Sequence, residues 1–287
     1  MKEMKRSDFI WDEFVYGGHW LSIGAGAIVF SAMIIFNFMI RWEFILLIYL
    51  IVQCSYNYNH YKELQSDMLS DSPRAHHLKK YVTAMPYIIF LYGLCYVVIL
   101  LLCGNVSSIL YGLLLLVISI FFTYKGKKIF SRLIGFKSYY AALTWAAIIP
   151  FTAIYISYPI NLTVFLFSSF VFIRLLVSIN FFDIKDIASD SKDEIQTLVL
   201  GLGKEKFISL LHILNLISML PIIIGTLFNI FPIYTFSLVL LFFYSYIYII
   251  KGRAKKEEIQ NISYVLVDGE FYFWPILIFI MLILGLV

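Results

Sequence analysis

Nine apolar runs, each long enough to cross a bilayer, leave this chain few ways to fold. They read at roughly 19–40, 44–62, 81–103, 107–124, 138–158, 162–182, 207–228, 232–250 and 271–287. A helix needs about 20 mostly apolar residues to traverse a hydrocarbon layer ~30 Å thick. In hydrocarbon only helices and closed barrels satisfy their backbone polar groups internally. Runs of this length predict helices. The composition agrees, with 61% of 287 residues hydrophobic and 14% charged, where a soluble domain is nearer half and a quarter. The expectation is an all-α polytopic membrane protein, one helical domain over 1–287, with nine transmembrane helices around a central cavity.

The connections alternate in charge. Those marked by Asn105, by Pro159 to Asn161 and by Asn229 carry no Lys or Arg, and the short turn Arg41 to Glu43 pairs one Arg with one Glu. The other connections are long and basic. They hold Lys62, Arg74, Lys79 and Lys80; then Lys125, Lys127, Lys128, Arg132 and Lys137; then Lys185, Lys192, Lys204 and Lys206; then Lys251, Arg253, Lys255 and Lys256. The positive-inside rule puts the N-terminus and these four connections in the cytoplasm, so the cytoplasmic membrane is the expected location. Met1–Gly18 is polar and of mixed charge, and no removable signal peptide is expected there. Cys54, Cys95 and Cys103 lie in apolar stretches without metal-ligand spacing and read as small packing residues.

Two acidic stretches stand out against this background. After the sixth run, Asp183, Asp186 and Asp190 recur at spacings of three and four, which places them on one helical face. Carboxylates stacked in this way repel one another unless a cation lies between them, and Mg²⁺ prefers oxygen ligands. After the second run, Asn59, Glu63 and Asp67 recur every four residues. An alternative register, Asn57, Tyr61 and Gln65, would supply no carboxylate; the first is preferred because Glu can bind Mg²⁺. Two acidic faces across a cavity would hold Mg²⁺ bridged by a diphosphate. His60 reads as a surface histidine beside the headgroups, with a metal-proximal role as the alternative. Arg174 lies inside the sixth run, where a charge is costly; it would face the cavity, pair with a polar group, or snorkel.

The segment Asp183 to Gly203, DIKDIASDSKDEIQTLVLGLG, resembles the second aspartate-rich motif of the UbiA-type intramembrane prenyltransferase superfamily, DxxDxxxD followed by Thr-Leu and Leu-Gly. Thr197-Leu198 and Leu202-Gly203 fall where that pattern has them. Asn59 to Asp67 is similar to the family's first motif, NDxxDxxxD, with His60 and Glu63 in place of two aspartates. Thr123 to Lys128, onward to Lys137, resembles its Tyr and Lys diphosphate-contacting loop. The resemblance implies an isoprenyl diphosphate substrate, Mg²⁺ held by Asn59, Glu63, Asp67, Asp183, Asp186 and Asp190, and catalytic roles for Asp183, Asp186 and Asn59. Diphosphate contacts are expected from Tyr124, Lys125, Lys127 and Lys128, with Arg74 and Lys192 as further candidates.

The expected reaction is cleavage of the allylic carbon–oxygen bond at the cytoplasmic face, followed by prenyl transfer to an acceptor that the residues leave open. The divergent first motif keeps open two rivals of the same fold: a membrane terpene cyclase, in which the substrate's own double bond attacks the cation, and a non-catalytic lipid-binding scaffold. A transporter fits less well, because the charges cluster at one membrane face and transporter sites lie near the midplane. The expected partners are the bilayer and the prenyl diphosphate, and no nucleic acid.

Overall fold

The computed structural model describes residues 6–69, 72–126 and 129–285, and every element among them is helical. In chain order the α-helices are α1 (Arg6–Tyr16), α2 (His19–Ile35), α3 (Trp42–Leu69), α4 (Pro73–Lys79), α5 (Met85–Cys103), α6 (Val106–Phe121), α7 (Phe136–Ala146), α8 (Ile148–Tyr155) and α9 (Leu162–Lys192). After these come α10 (Leu198–Leu202), α11 (Lys204–Ile217), α12 (Leu220–Leu227), α13 (Leu241–Lys251), α14 (Lys256–Asn261) and α15 (Asp268–Ile283). A π-helical turn, Phe122–Gly126, extends α6; a 3₁₀ stretch, Ile233–Leu240, leads into α13; a second π-helical turn, Ile262–Val267, joins α14 to α15.

The nine apolar runs all fall largely on helix. By length and composition, six helical stretches can cross a membrane, or seven if the bent pair Phe9–Tyr16 and His19–Ile35 is one span. Two runs fall short for visible reasons. The run at 44–62 lies on α3, where Gln53, Asn57 and Asn59 dilute the apolar character. The run at 138–158 is divided between α7 and α8. These spans make the chain an integral membrane protein.

Local sequence sets the helix ends. Asn105 caps α6 by accepting from the Ser108 backbone N–H, and Asn161 caps α9 by accepting from that of Val164, each satisfying a donor that the first turn would leave free. Gly18, at φ +83°, separates α1 from α2, which diverge by 52°. α9 is the central element and touches α3, α7, α8, α11 and α12, while α3 packs along α5 and α2 packs against α15. In a lipid-facing bundle such contacts are held by close packing rather than by expulsion of water. The larger buried cluster includes Phe44, Phe151, Phe167, Phe170 and Trp274; a smaller one, with Phe181, Phe207, Tyr248 and Val267, lies beside the polar end of α9.

One backbone junction positions the site. The Gly135 N–H donates to the Gln196 carbonyl at 2.8 Å, and the Gln196 N–H donates to the Ser131 carbonyl at 2.9 Å. Gly135 sits at φ +72°, where L-residues are strained, and a side chain there would also press on Leu198. The loop before α7 is thereby fastened to the segment after α9. The first turn of α7, with Lys137 and Ser138, is held against the polar end of α9.

Candidate active site

The four-residue spacing on α3 does place Asn59 beside Glu63: Asn59 Nδ2 donates to Glu63 Oε2 at 2.9 Å. Thr123 Oγ1 donates to Asn59 Oδ1 at 3.3 Å. One turn further on, Asp67 Oδ2 lies 3.0 Å from His60 Nδ1 and 3.6 Å from Arg74 Nη2. On α9, Lys185 Nζ donates to both oxygens of Asp186 at 2.7 Å. Lys137 reaches across from α7 to donate to Asp190 Oδ1 at 2.7 Å, and it lies 3.5 Å from Asp183 Oδ1. Ser138 Oγ donates to Asp183 Oδ2 at 2.7 Å.

These walls enclose a polar cavity of about 150 Å³. Asn59, Glu63 and Asp67 line one side and Asp186 and Asp190 the other, with Lys137, Lys185 and Arg74 among them. Burial opposes the charge on Lys137, but the carboxylates of Asp190 and Asp183 outweigh it and hold the ammonium well above the usual lysine pKa. Burial likewise opposes the charge on Asp67, and contact with His60 and Arg74 outweighs it, so its carboxyl stands below the ordinary range. Aromatic faces steady two of the cations. Lys185 Nζ lies 5.3 Å from the ring centres of both Phe182 and Tyr264, and the Arg74 guanidinium lies 5.2 Å from that of Tyr264.

The polar cavity opens into an apolar one of about 290 Å³, whose walls include Ile48, Ile51, Leu115, Phe122, Tyr140 and Trp145. Asn59, His60 and Lys137 line both. A charged chamber and an oily one thus meet at three side chains.

The model of the UbiA prenyltransferase family matches residues 19–276. The chain belongs to that family. No individually curated protein matches it at the sequence level. Its fold resembles the apo structure of a UbiA homologue from Aeropyrum pernix K1, with a TM-score of 0.68 and 13% identity over 94% of this chain and 98% of that one. It also resembles a structure of digeranylgeranylglyceryl phosphate synthase, with a TM-score of 0.58, 13% identity and the same coverage. At such identity the likeness is one of fold.

Within this UbiA fold, Asn59, Glu63, Asp67, Asp186, Asp190 and Arg74 line one cavity. Asp183 lies behind it, buried against Lys137 and Ser138. Of the alternative register, Asn57 is turned to the Gln53 carbonyl at 2.9 Å and Gln65 is exposed; neither lines the cavity, nor does Tyr61. Tyr124 and Lys125 are exposed and stack on each other, with Lys125 Nζ 5.5 Å from the Tyr124 ring centre, and neither lines the cavity. Lys192 is exposed at the end of α9. Lys127 and Lys128 lie outside the described residues.

Two readings change, and one left open is narrowed. His60 is buried rather than at the surface, because the Tyr56 ring and Asp67 enclose it. The cations at the chamber include Lys137, which ends the loop that resembles the diphosphate-contacting one but was not singled out in it, and Lys185, which the sequence showed only as a loop charge. A signal existed for Lys185, which sits inside the aspartate motif; for Lys137 the decisive contact depends on the Gly135–Gln196 junction. Of the options for Arg174, pairing holds: it is fully buried and its Nε donates to Glu270 Oε1 at 3.0 Å.

The donors suit a hard divalent cation. All are oxygens, and Asp190 Oδ2 is buried with no hydrogen-bond partner. Among the described residues no three acidic or imidazole groups converge on one point. That is compatible with Mg²⁺, which is usually bound by one or two carboxylates together with substrate phosphates.

Proposed function

We propose that this protein binds an isoprenyl diphosphate with its head in the polar chamber and its tail in the apolar one, cleaves the allylic carbon–oxygen bond, and transfers the prenyl group to an acceptor. The observation that carries this is the junction at Asn59, His60 and Lys137, where a 150 Å³ polar cavity meets a 290 Å³ apolar one. Few metabolites are doubly charged at one end and hydrocarbon over the rest. The basic connections support a chamber that opens to the cytoplasmic face.

Lys137, Lys185 and Arg74 would donate to the diphosphate oxygens and stabilise the charge that grows on them as the bond breaks. Glu63, Asp67, Asp186 and Asp190 would hold Mg²⁺, with Asn59 as a neutral oxygen donor. Mg²⁺ supplies positive charge that stabilises the departing diphosphate. The apolar walls exclude water from the allylic cation, and the stacked rings of Phe122 and Tyr140, 3.9 Å apart at their centres, offer it a π face.

The test is diphosphate release by purified protein given geranyl, farnesyl or geranylgeranyl diphosphate, with and without Mg²⁺, and mass spectrometry of the organic products. Mg²⁺-dependent release with acceptor-linked product is expected. A cyclic hydrocarbon or terpene alcohol formed without acceptor would identify a cyclase instead. Failure to bind any of the three diphosphates in the presence of Mg²⁺ would overturn the enzymatic reading in favour of a scaffold.

A further inference from the structure

Two of the cations at the polar chamber share one ring. Arg74, in the first turn of α4, and Lys185, on α9, both lie over Tyr264, at 5.2 and 5.3 Å from the ring centre. Tyr264 is buried and lines neither chamber. Its neighbours fix it in place. The Tyr16 ring meets it edge-on at 5.4 Å, the Phe182 ring lies at 6.3 Å, and its hydroxyl is 2.8 Å from Ser72 Oγ, two residues before Arg74. The backbone that carries it is distorted. In the π-helical turn Ile262–Val267 an extra residue enters the turn, which rotates side chains by about 100° from the α-helical register. Donors from two other helices reach the carbonyls of this turn. Trp20 Nε1 on α2 donates to that of Val265 at 3.3 Å, and the Tyr244 hydroxyl on α13 donates to that of Leu266 at 2.7 Å. Tertiary contacts thus specify the turn that aims Tyr264.

The cations need a support of this kind. Arg74 and Lys185 repel each other, and the ion pair of Arg74 with Asp67 is 3.6 Å long. Arg74 also borders a third cavity, of about 230 Å³, which adjoins the other two through Asn59 and His60. Its present carboxylate partner, Asp67, and that of Lys185, Asp186, are the groups that turn to Mg²⁺ in the proposed reaction. A π face does not change hands in that way. It attracts a cation without being an anion, and it leaves the N–H groups free for phosphate oxygens. We infer that Tyr264 is a positioning residue, which presents Arg74 and Lys185 together to the diphosphate and sets its affinity from behind the chamber wall. The inference rests on the reading of that chamber as a diphosphate site. It adds a residue that touches neither substrate nor metal and acts through two that face the chamber.

The test is calorimetric binding of geranylgeranyl thiolodiphosphate, a non-hydrolysable probe, in the presence of Mg²⁺ to the purified full-length chain in nanodiscs. Tyr264→Phe keeps the ring and loses the Ser72 contact, and should bind within about fivefold of wild type. Tyr264→Leu keeps an apolar side chain and loses the π face, and should bind about thirtyfold more weakly. A third set of chains carries at position 264 a phenylalanine whose ring is fluorinated step by step. Fluorine drains the π face while the ring keeps its shape, so affinity should fall with each step. Should Tyr264→Leu not fold, this series decides alone. A flat fluorine series, or equal binding by Tyr264→Leu and Tyr264→Phe, is what a packing role gives, and either would overturn the inference. Failure of the wild type to bind the probe would instead overturn the diphosphate reading itself, so the two failures are separable.

Discussion

α9 carries two buried charge clusters built in opposite ways. Near its middle, Arg174 and Glu270 form a closed set. Arg174 Nη1 donates to Asn215 Oδ1 at 2.6 Å and to Ser218 Oγ at 3.3 Å, and Nη2 donates to Ser245 Oγ. Glu270 Oε2 accepts from Ser245 at 2.7 Å and from Tyr248 at 3.2 Å. Both charged side chains are inaccessible and line none of the three cavities. At its polar end the same helix carries Asp183, Asp186 and Asp190, and there the set is open. Asp190 Oδ2 and, across the chamber, Arg74 Nε are buried with no partner. Completed polar networks specify packing, whereas incomplete ones beside a cavity await a ligand. The difference assigns structure to the first cluster and chemistry to the second.

The strongest way to break this division is to remove one member of the closed set. Arg174→Ala or Glu270→Ala leaves a charge uncompensated and should cost about 3–5 kcal/mol, read as a large fall in thermal midpoint in detergent. The double variant Arg174→Met/Glu270→Leu should recover most of that loss. If Glu270→Ala retained full stability and lost only turnover, the division would collapse. Asp186→Ala should do the reverse, folding normally while diphosphate release falls roughly a thousandfold, about 4 kcal/mol in the barrier. Asp183→Ala should fall comparably, since it frees Lys137 from its place. Near-normal rates in either would remove the acidic face of α9 from the mechanism. Lys137→Met is expected to lower kcat/KM about a hundredfold, whereas exposed Lys125→Met should stay within about threefold of wild type. The opposite order would return the diphosphate to the exposed loop.

How much of this could be read from the residues follows from the range of each signal. Helix and membrane character are local, summed over some twenty residues, and the apolar runs showed them. The acidic faces are nearly local, since spacings of three and four are geometry within one helix. Partners brought together by topology were out of reach. Arg174 meets Glu270 across 96 residues. Lys137 meets Asp190 across 53, through a junction made by backbone atoms whose side chains carry no sign of it. His60 was misread because its immediate neighbours are polar, although Tyr56, one turn earlier, and Asp67, seven residues on, bury it.

The smallest expected effect bears on the register of α3, the wall that faces α9 across the open cluster. Glu63 lines the chamber and accepts from Asn59, while Tyr61, two residues earlier, does not line it. Because successive residues in a helix are about 100° apart, a shift of two residues carries a side chain to nearly the opposite face. Glu63→Ala should therefore reduce diphosphate release about tenfold, through lost metal and diphosphate ordering. Tyr61→Ala should change it by less than about twofold, with the thermal midpoint reporting whatever packing is lost. The reverse order would transfer the first motif to Asn57, Tyr61 and Gln65. Glu63 would then be a bystander, and the α3 wall would bring Asp67 as its working carboxylate against Asp186 and Asp190.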